Sequence, residues 1–303
     1  MSNRIVVAGG SGALGSLLVD AYGQAGWKVV VLSRLAARPM GNLRRVAWDG
    51  QTLGNWVGEL EGATAVVNLV GRSINTRFTA RNKQEIRDSR VLSTAAIGDA
   101  ILRSSDPPKV WINAGGISIY RSSAVLRTED DSPDGTDFLA QVSRAWEAAF
   151  AQAITPKTRK VQLRIGSVLL SKGGMLAPLV KLAKFGLGGP IGNGDQYISW
   201  IHEQDFVKLI SWLISDRHLT GIVHASNPNP VQNKDFMLAL RKCLGIPIGL
   251  PNREWSTKLG GWIIGTEPEL VLSGHRVVSK VLGDEGFRFD FPELGAALHN
   301  LIV

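Results

Sequence analysis

Two stretches of the sequence have the residue types and spacing needed to hold a dinucleotide. Ile5-Val6-Val7-Ala8 runs directly into Gly9-Gly10-Ser11-Gly12-Ala13-Leu14-Gly15, readable as Gly10-x-Gly12-x-x-Gly15 or as Gly9-x-x-Gly12-x-x-Gly15. Glycines there permit a tight turn and bring backbone N–H groups against a pyrophosphate, beside the partial positive charge of a helix N-terminus. The context fits the chemistry, because the glycines follow an apolar strand and open a helical pattern. The second stretch, Val29-Val30-Val31-Leu32-Ser33-Arg34, ends in a base. An acid at that point would accept hydrogen bonds from ribose hydroxyls and repel a 2′-phosphate, whereas arginine forks onto one. The expected cofactor is NADP(H) rather than NAD(H), with Arg38 as a second candidate contact. Asn68-Leu69-Val70-Gly71 closes a later strand. Ligands lie at the carboxyl ends of such strands, so this backbone is expected beside the adenine and ribose.

Positioning these groups requires a sheet. Over the first 170 residues apolar strands alternate with amphipathic helices, which predicts a parallel sheet covered on both faces. The strands are read at Ile5–Ala8, Lys28–Ser33, Arg44–Trp48, Ala63–Leu69, Lys109–Asn113 and Lys160–Leu170. The helices are read from Gly12 to Ala25, Gln84 to Arg103 and Asp137 to Ala153. The expected fold is α/β, a Rossmann-like doubly wound parallel sheet with a small C-terminal substrate lobe. Residues 1–170, with a strand near 220–226, form the cofactor domain, and 171–303 form the lobe. Beyond Lys172-Gly173-Gly174 the pattern loosens into an irregular connection over Phe185–Gly194, a length that is often functional. A helix from Glu203 to Ser215, a strand from Ile222 to Ala225 and further helical stretches follow, ending at Pro292–Leu301.

Composition narrows the class. The 303 residues are 44% hydrophobic and only 20% charged, enough for a large core and unlike a disordered chain. The net charge of +8 is spread without any long basic run, so a nucleic-acid partner is not expected. Cys243, the single cysteine, sits in an amphipathic helical pattern and reads as a packed thiol. The five histidines never fall at the i, i+4 spacing of a helical zinc pair, and no metal is expected. No stretch approaches the roughly 18 uninterrupted apolar residues of a membrane helix, and no secretory signal is visible. A cytoplasmic protein with no membrane partner is expected.

With these pieces placed, the chain resembles the short-chain dehydrogenase/reductase superfamily of extended type, and within it the atypical lineage known as epimerase family proteins. The resemblance spans nearly the whole chain. It is carried by Ser33-Arg34, Asn68-Leu69-Val70-Gly71, Glu85-Ile86-Arg87-Asp88-Ser89-Arg90, Glu129-Asp130-Asp131-Ser132-Pro133 and Arg144-Ala145-Trp146-Glu147. Gly186-Leu187-Gly188-Gly189-Pro190, Ser199-Trp200-Ile201-His202 and Phe291-Pro292-Glu293-Leu294 complete it. It implies an NADP-binding domain with a small lobe that closes a substrate cleft. It also implies cofactor contacts from Glu85 and Arg90, and from the backbone near Val168. Arg72 departs from the pattern, where the family more often has Glu.

Most dehydrogenases of that superfamily use Tyr-x-x-x-Lys, a proton donor and a cation that lowers its pKa. Here Tyr22, Tyr120 and Tyr197 are followed four residues on by Gly26, Ala124 and Ile201, so the pair is absent. The resemblance puts Val142 and Trp146 in its place. Tyr120 and Ser118 are substitute candidates, although a packed tyrosine and a loop hydroxyl are the plainer readings. His202, before the helix at 203, reads as a structural hinge more than a catalyst. Catalytic residues therefore stay unknown. Two functions remain open: an oxidoreductase or epimerase-like enzyme acting on a small molecule, and a non-catalytic NADPH-sensing protein.

Overall fold

The computed structural model describes residues 3–216, 218–251 and 267–303. Part of the helical filling expected near the C-terminus, over 252–266, lies outside the described residues. From the N-terminus, β1 (Arg4–Ala8) leads through the glycine turn into α1 (Ala13–Gln24) and β2 (Lys28–Ser33). A hairpin, β3 (Ala37–Met40) and β4 (Leu43–Ala47), is followed by β5 (Ala65–Asn68), α2 (Ala80–Arg103) and β6 (Val110–Gly116). Next come β7 (Ser123–Arg127), α3 (Phe138–Gln152), β8 (Arg159–Ile165) and β9 (Ser167–Leu169). The rest comprises α4 (Leu176–Lys184), β10 (Tyr197–Ile198), β11 (Trp200–His202), α5 (Glu203–Ser215), β12 (Gly221–Ala225), β13 (Val231–Gln232) and α6 (Asn233–Cys243). After the undescribed segment come α7 (Glu269–Leu272), β14 (His275–Val277), α8 (Lys280–Asp284) and α9 (Leu294–Ile302).

Eight strands form the main sheet in the order β12-β8-β6-β5-β1-β2-β4-β3. Every neighbouring pair is parallel except β3 with β4. The period of two along each strand explains the double winding. Ile5 and Val7 of β1 pack with Leu18 of α1 and Phe206 and Leu209 of α5. Val6 and Ala8 face the other way, onto Ile97 and Ala100 of α2 and Trp111. This is the expected Rossmann-like α/β fold. The strand at 221–225 lengthens its sheet, and α5 covers it beside α1, where the Tyr22 hydroxyl lies 3.0 Å from that of Ser211.

A third core joins α4, α6 and α9 through Leu179, Phe236, Met237 and Leu298 around Trp200. Asp205, buried in α5, fastens the tail. Its carboxylate accepts from the Asp290 N–H at 2.7 Å and the Phe291 N–H at 3.0 Å.

Several elements depart from the sequence reading. The helix at 84 begins four residues earlier, because Thr79 accepts from the Asn82 N–H and caps it. The hairpin strand β3 and the parallel pair β7 and β14 were not anticipated; their side chains are mostly exposed or half-buried and carry no period-two signal. The strand read over 160–170 is two strands. At Gly166 the chain leaves the main sheet, donating its N–H to Ala225, and β9 then pairs with β11. A Cβ at Gly166 would lie 2.7 Å from the Ser199 carbonyl oxygen, so a side chain there collides with backbone. Gly166→Ala should lower the unfolding free energy by about 1–3 kcal/mol, the usual range for a clash that cannot relax. Thermal or urea unfolding measures it, and an unchanged midpoint would contradict the account.

Candidate functional site

The glycine turn is shaped by what it must avoid. Gly9 has φ +80°, in the left-handed region, and a Cβ there would lie 2.9 Å from the Leu69 carbonyl carbon. A Cβ at Gly10 would meet Val31 Cγ1 at 2.8 Å, and one at Gly15 would lie 2.4 Å from the Gly9 carbonyl oxygen. Gly12 donates to the Gly9 carbonyl at 2.9 Å and stands as the N-cap of α1 without a capping side chain. The first N–H groups of a helix, here those of Ala13, Leu14 and Gly15, have no acceptor within the helix. Ser11, at the tip of the turn, is exposed. The arrangement is an anion cradle: uncapped donors, a helix dipole, and no side chain in the way.

Beyond β2, the Ser33 hydroxyl donates to the Leu35 carbonyl at 2.7 Å, and Arg34 is exposed. Arg34 lines an open cleft of about 490 Å³ with Trp48, Asp49, Thr52 and Asn55. Arg38 lies on the exposed edge strand β3.

Asn68 is fully buried and organises the loop that follows it. Its amide donates to Asn113 Oδ1 at 2.8 Å and to the Thr94 hydroxyl at 3.1 Å, while its oxygen accepts from the Val70 N–H. Trp146 donates its indole N–H to the same Thr94 hydroxyl at 2.9 Å. Leu69 and Val70 are half-buried. Gly71 lies against Arg90, whose guanidinium carbon would be 2.9 Å from a Cβ there. Arg90 donates to the carbonyls of Arg72 and Ile86, and its guanidinium lies 5.1 Å from the centre of a Trp146 ring. Burial pushes the Arg90 pKa down to about 10, which leaves it charged at neutral pH. Glu85 is bound by two cations, Arg72 and Arg81. Arg72, the departure from the family pattern, therefore pairs with a residue that the resemblance assigns to the cofactor. Val168 is buried in β9, where it is the register partner of Ile201.

Val142 and Trp146, which the resemblance sets in the place of a Tyr-x-x-x-Lys pair, are both buried. The hydroxyls closest to the end of β6 are those of Ser118 and Ser143, 3.2 Å apart. Tyr120 is fully buried. Its hydroxyl accepts from Arg164 at 2.6 Å, and burial pushes its pKa up to about 12. Arg164 in turn forms a two-pronged ion pair with Glu147, at 2.7 and 2.8 Å. His224 Nδ1 lies 2.9 Å from the Val278 carbonyl, which only accepts, so Nδ1 carries the proton; the one proton of the Tyr120 hydroxyl is then shared between the Thr128 carbonyl at 3.0 Å and His224 Nε2 at 3.1 Å. The His224 N–H donates to Glu129, which also binds Ser279 and the Lys280 N–H. Tyr120 is a packed residue in this structure. His202 is one as well, capping α5 through Nδ1 and stacking on Phe291 at 3.8 Å.

Sequence reasoning missed Thr94, Asn113, Ser143, Glu147, Arg164 and His224. The signal available was polar residues inside apolar strands: Asn113 after Val110-Trp111-Ile112, and Gln162 and Arg164 within 159–165.

With this geometry established, known proteins give the family. Residues 5–144 match the model of the NAD dependent epimerase/dehydratase family. Residues 258–301 match a domain of unknown function. The bovine (Bos taurus) epimerase family protein SDR39U1 is 32% identical over 306 residues, covering 99% of this chain and 100% of that protein. This chain belongs to the epimerase family. YfhF, an epimerase family protein of Bacillus subtilis, is 31% identical, covering 99% of this chain and 98% of its own. The crystal structure of human SDR39U1 (isoform 2) with NADPH superposes with a TM-score of 0.87 at 29% identity, covering 98% of each chain. Among the described residues, no helix is long and apolar enough to cross a membrane.

Two expected outcomes test the site's electrostatics. Arg164→Met leaves the Glu147 carboxylate without its partner and should cost about 3–5 kcal/mol of stability in denaturant unfolding; a cost under 1 kcal/mol would mean that the pair is dispensable. Burial holds His202, His224 and His275 below the ordinary histidine value of 6.5. On acidification the unfolded chain therefore protonates before the folded one, and the stability contributed by keeping these rings neutral is lost as pH falls below about 6.5. Thermal melts between about pH 7.5 and 5.5 should show a falling midpoint, and a rising one would refute the assignment.

Proposed function

We propose that this epimerase family member binds NADP(H) and acts as an oxidoreductase or epimerase-like enzyme on a small molecule, with a proton donor other than Tyr-x-x-x-Lys. The observation that carries this reading is the glycine turn. Its donors are uncapped, and side chains at Gly9, Gly10 and Gly15 would strike backbone or core. The backbone of Gly9, Ser11, Gly12, Ala13, Leu14 and Gly15 would hold the pyrophosphate. Arg34, exposed on the wall of the cleft, and the half-buried Ser33 beside it would take the 2′-phosphate. Asn68, Leu69, Val70 and Gly71 would flank the adenosine, with Glu85, Arg90 and the Val168 backbone completing the assigned contacts. The NADPH bound to the human relative supports the choice of cofactor.

When bound, the nicotinamide supplies the hydride. This chain supplies orientation. The Asn68–Thr94–Trp146 junction fixes the loop after β5, and Arg90 holds that loop against α2. Ser118 and Ser143 are the hydroxyls that the end of β6 offers for proton handling. A second reading, a non-catalytic NADPH sensor, is favoured by the burial of Val142 and Trp146 where the usual acid and cation would stand.

Calorimetric titration with NADPH and with NADH tests the binding step. NADPH should bind at least tenfold more tightly, and Arg34→Ala should erase most of that preference, about 1–2 kcal/mol, the size of one charge-assisted contact. No binding of either nucleotide would overturn the reading. Stereospecific transfer of labelled hydride from NADPH into a panel of carbonyl compounds separates the enzyme from the sensor.

A further inference from the structure

We propose that a ridge formed by the segments around 185–189 and 247–251 docks this protein onto an anionic lipid surface. Phe185, Ile248 and Leu250 are 73%, 69% and 58% exposed, among the largest exposures of any apolar side chain described. Backbone bonds lock the two segments together: the Leu250 N–H donates to Gly186 at 2.8 Å, and the Gly189 N–H donates to Leu250 at 3.1 Å. Arg241, reaching from α6, donates to the Gly188 carbonyl at 2.7 Å. A Cβ at Gly189 would lie 2.5 Å from the Leu250 carbonyl, so the two strips of backbone touch directly. The apolar side chains are therefore presented by a braced edge.

The charged residues within the two segments that carry the ridge are basic. Residues 176–194 contain Lys181 and Lys184, residues 236–251 contain Arg241 and Lys242, and neither segment contains an Asp or Glu. Lys181, Lys184 and Lys242 are exposed. Exposed Phe and aliphatic side chains with exposed lysines close by in sequence suit the headgroup boundary of an acidic bilayer, where the ring inserts and the ammonium groups meet phosphates. A protein partner fits less well. The carbonyls of Gly186 and Gly188 and both backbone groups of Leu250 are already bonded, which leaves little edge for another chain to pair with. A contact of this kind needs no membrane-spanning helix.

Flotation of the full chain with vesicles of phosphatidylcholine, with and without added phosphatidylglycerol, tests the proposal. The protein should float with the phosphatidylglycerol vesicles, detach as salt is raised, and stay behind with phosphatidylcholine alone. Phe185→Ser combined with Ile248→Ser should lower the partition coefficient at least about tenfold, in line with the burial of one aromatic side chain. Lys181→Glu with Lys184→Glu should abolish it. Both double variants alter exposed side chains, and an unchanged thermal midpoint certifies their fold. Failure to float with phosphatidylglycerol vesicles at low salt overturns the proposal, as does equal flotation of the Phe185→Ser/Ile248→Ser variant. A dimer in sedimentation velocity that this same variant dissociates would instead make the ridge a contact between copies, and would also overturn it.

Discussion

The structure depends on a contact in which no side chain takes part. The backbone of the turn after β1 lies against the backbone after β5, close enough that a Cβ on Gly9 would be 2.9 Å from the Leu69 carbonyl carbon. That approach brings the start of α1 to the carboxyl edge of the sheet and sets its donors facing outward. Gly15 repeats the constraint one turn later, where only a missing side chain lets the helix start above the turn. In the sheet β1 lies between β2 and β5, so that Gly10 meets Val31 on one side and Gly9 meets Leu69 on the other.

Polar groups carry the second level of organisation. A seam of buried hydrogen bonds runs beneath α3, from Asn68 through Thr94, Asn113 and Trp146 to Gln162. Arg164 and Glu147, Tyr120, His224 and Glu129 then continue it toward α8. Asn68, Thr94, Asn113, Gln162, Arg164, Tyr120 and His224 are buried, so removing the partner of one of them leaves it to the full cost of desolvation. Such a seam favours one arrangement of α3 on the sheet over slipped alternatives that apolar packing alone would tolerate. Within it Trp146 is committed to Thr94 and Arg90, and Tyr120 to Arg164.

The parts legible in the sequence were those with local signatures. The glycine turn, the apolar runs of β1, β2 and β5, and the α3 pattern between Asp137 and Ala153 each announce themselves within one short continuous stretch. The break at Gly166 did not, because its cause is the Ser199 carbonyl, 33 residues away along the chain. Nor did Ser143: a serine in a helix is unremarkable until the fold brings it beside Ser118. Glu85 and Arg90 are singled out in the sequence by the resemblance alone, and only the fold shows their neighbours Arg72, Gly71 and Trp146. What the sequence hid was long-range pairing of polar groups, for which residue type alone carries no address.

The crossing at Gly166 also governs how the molecule comes apart. A single strand of chain serves the main sheet up to Ile165 and the smaller pair from Ser167, with bonds to Ala225 and Ser199 on either side of the crossing. Neither region can lose its order without releasing a strand of the other. Cofactor sheet and C-terminal elements are thus stitched into one cooperative unit, and ligand bound to one will be felt as resistance to melting in the other.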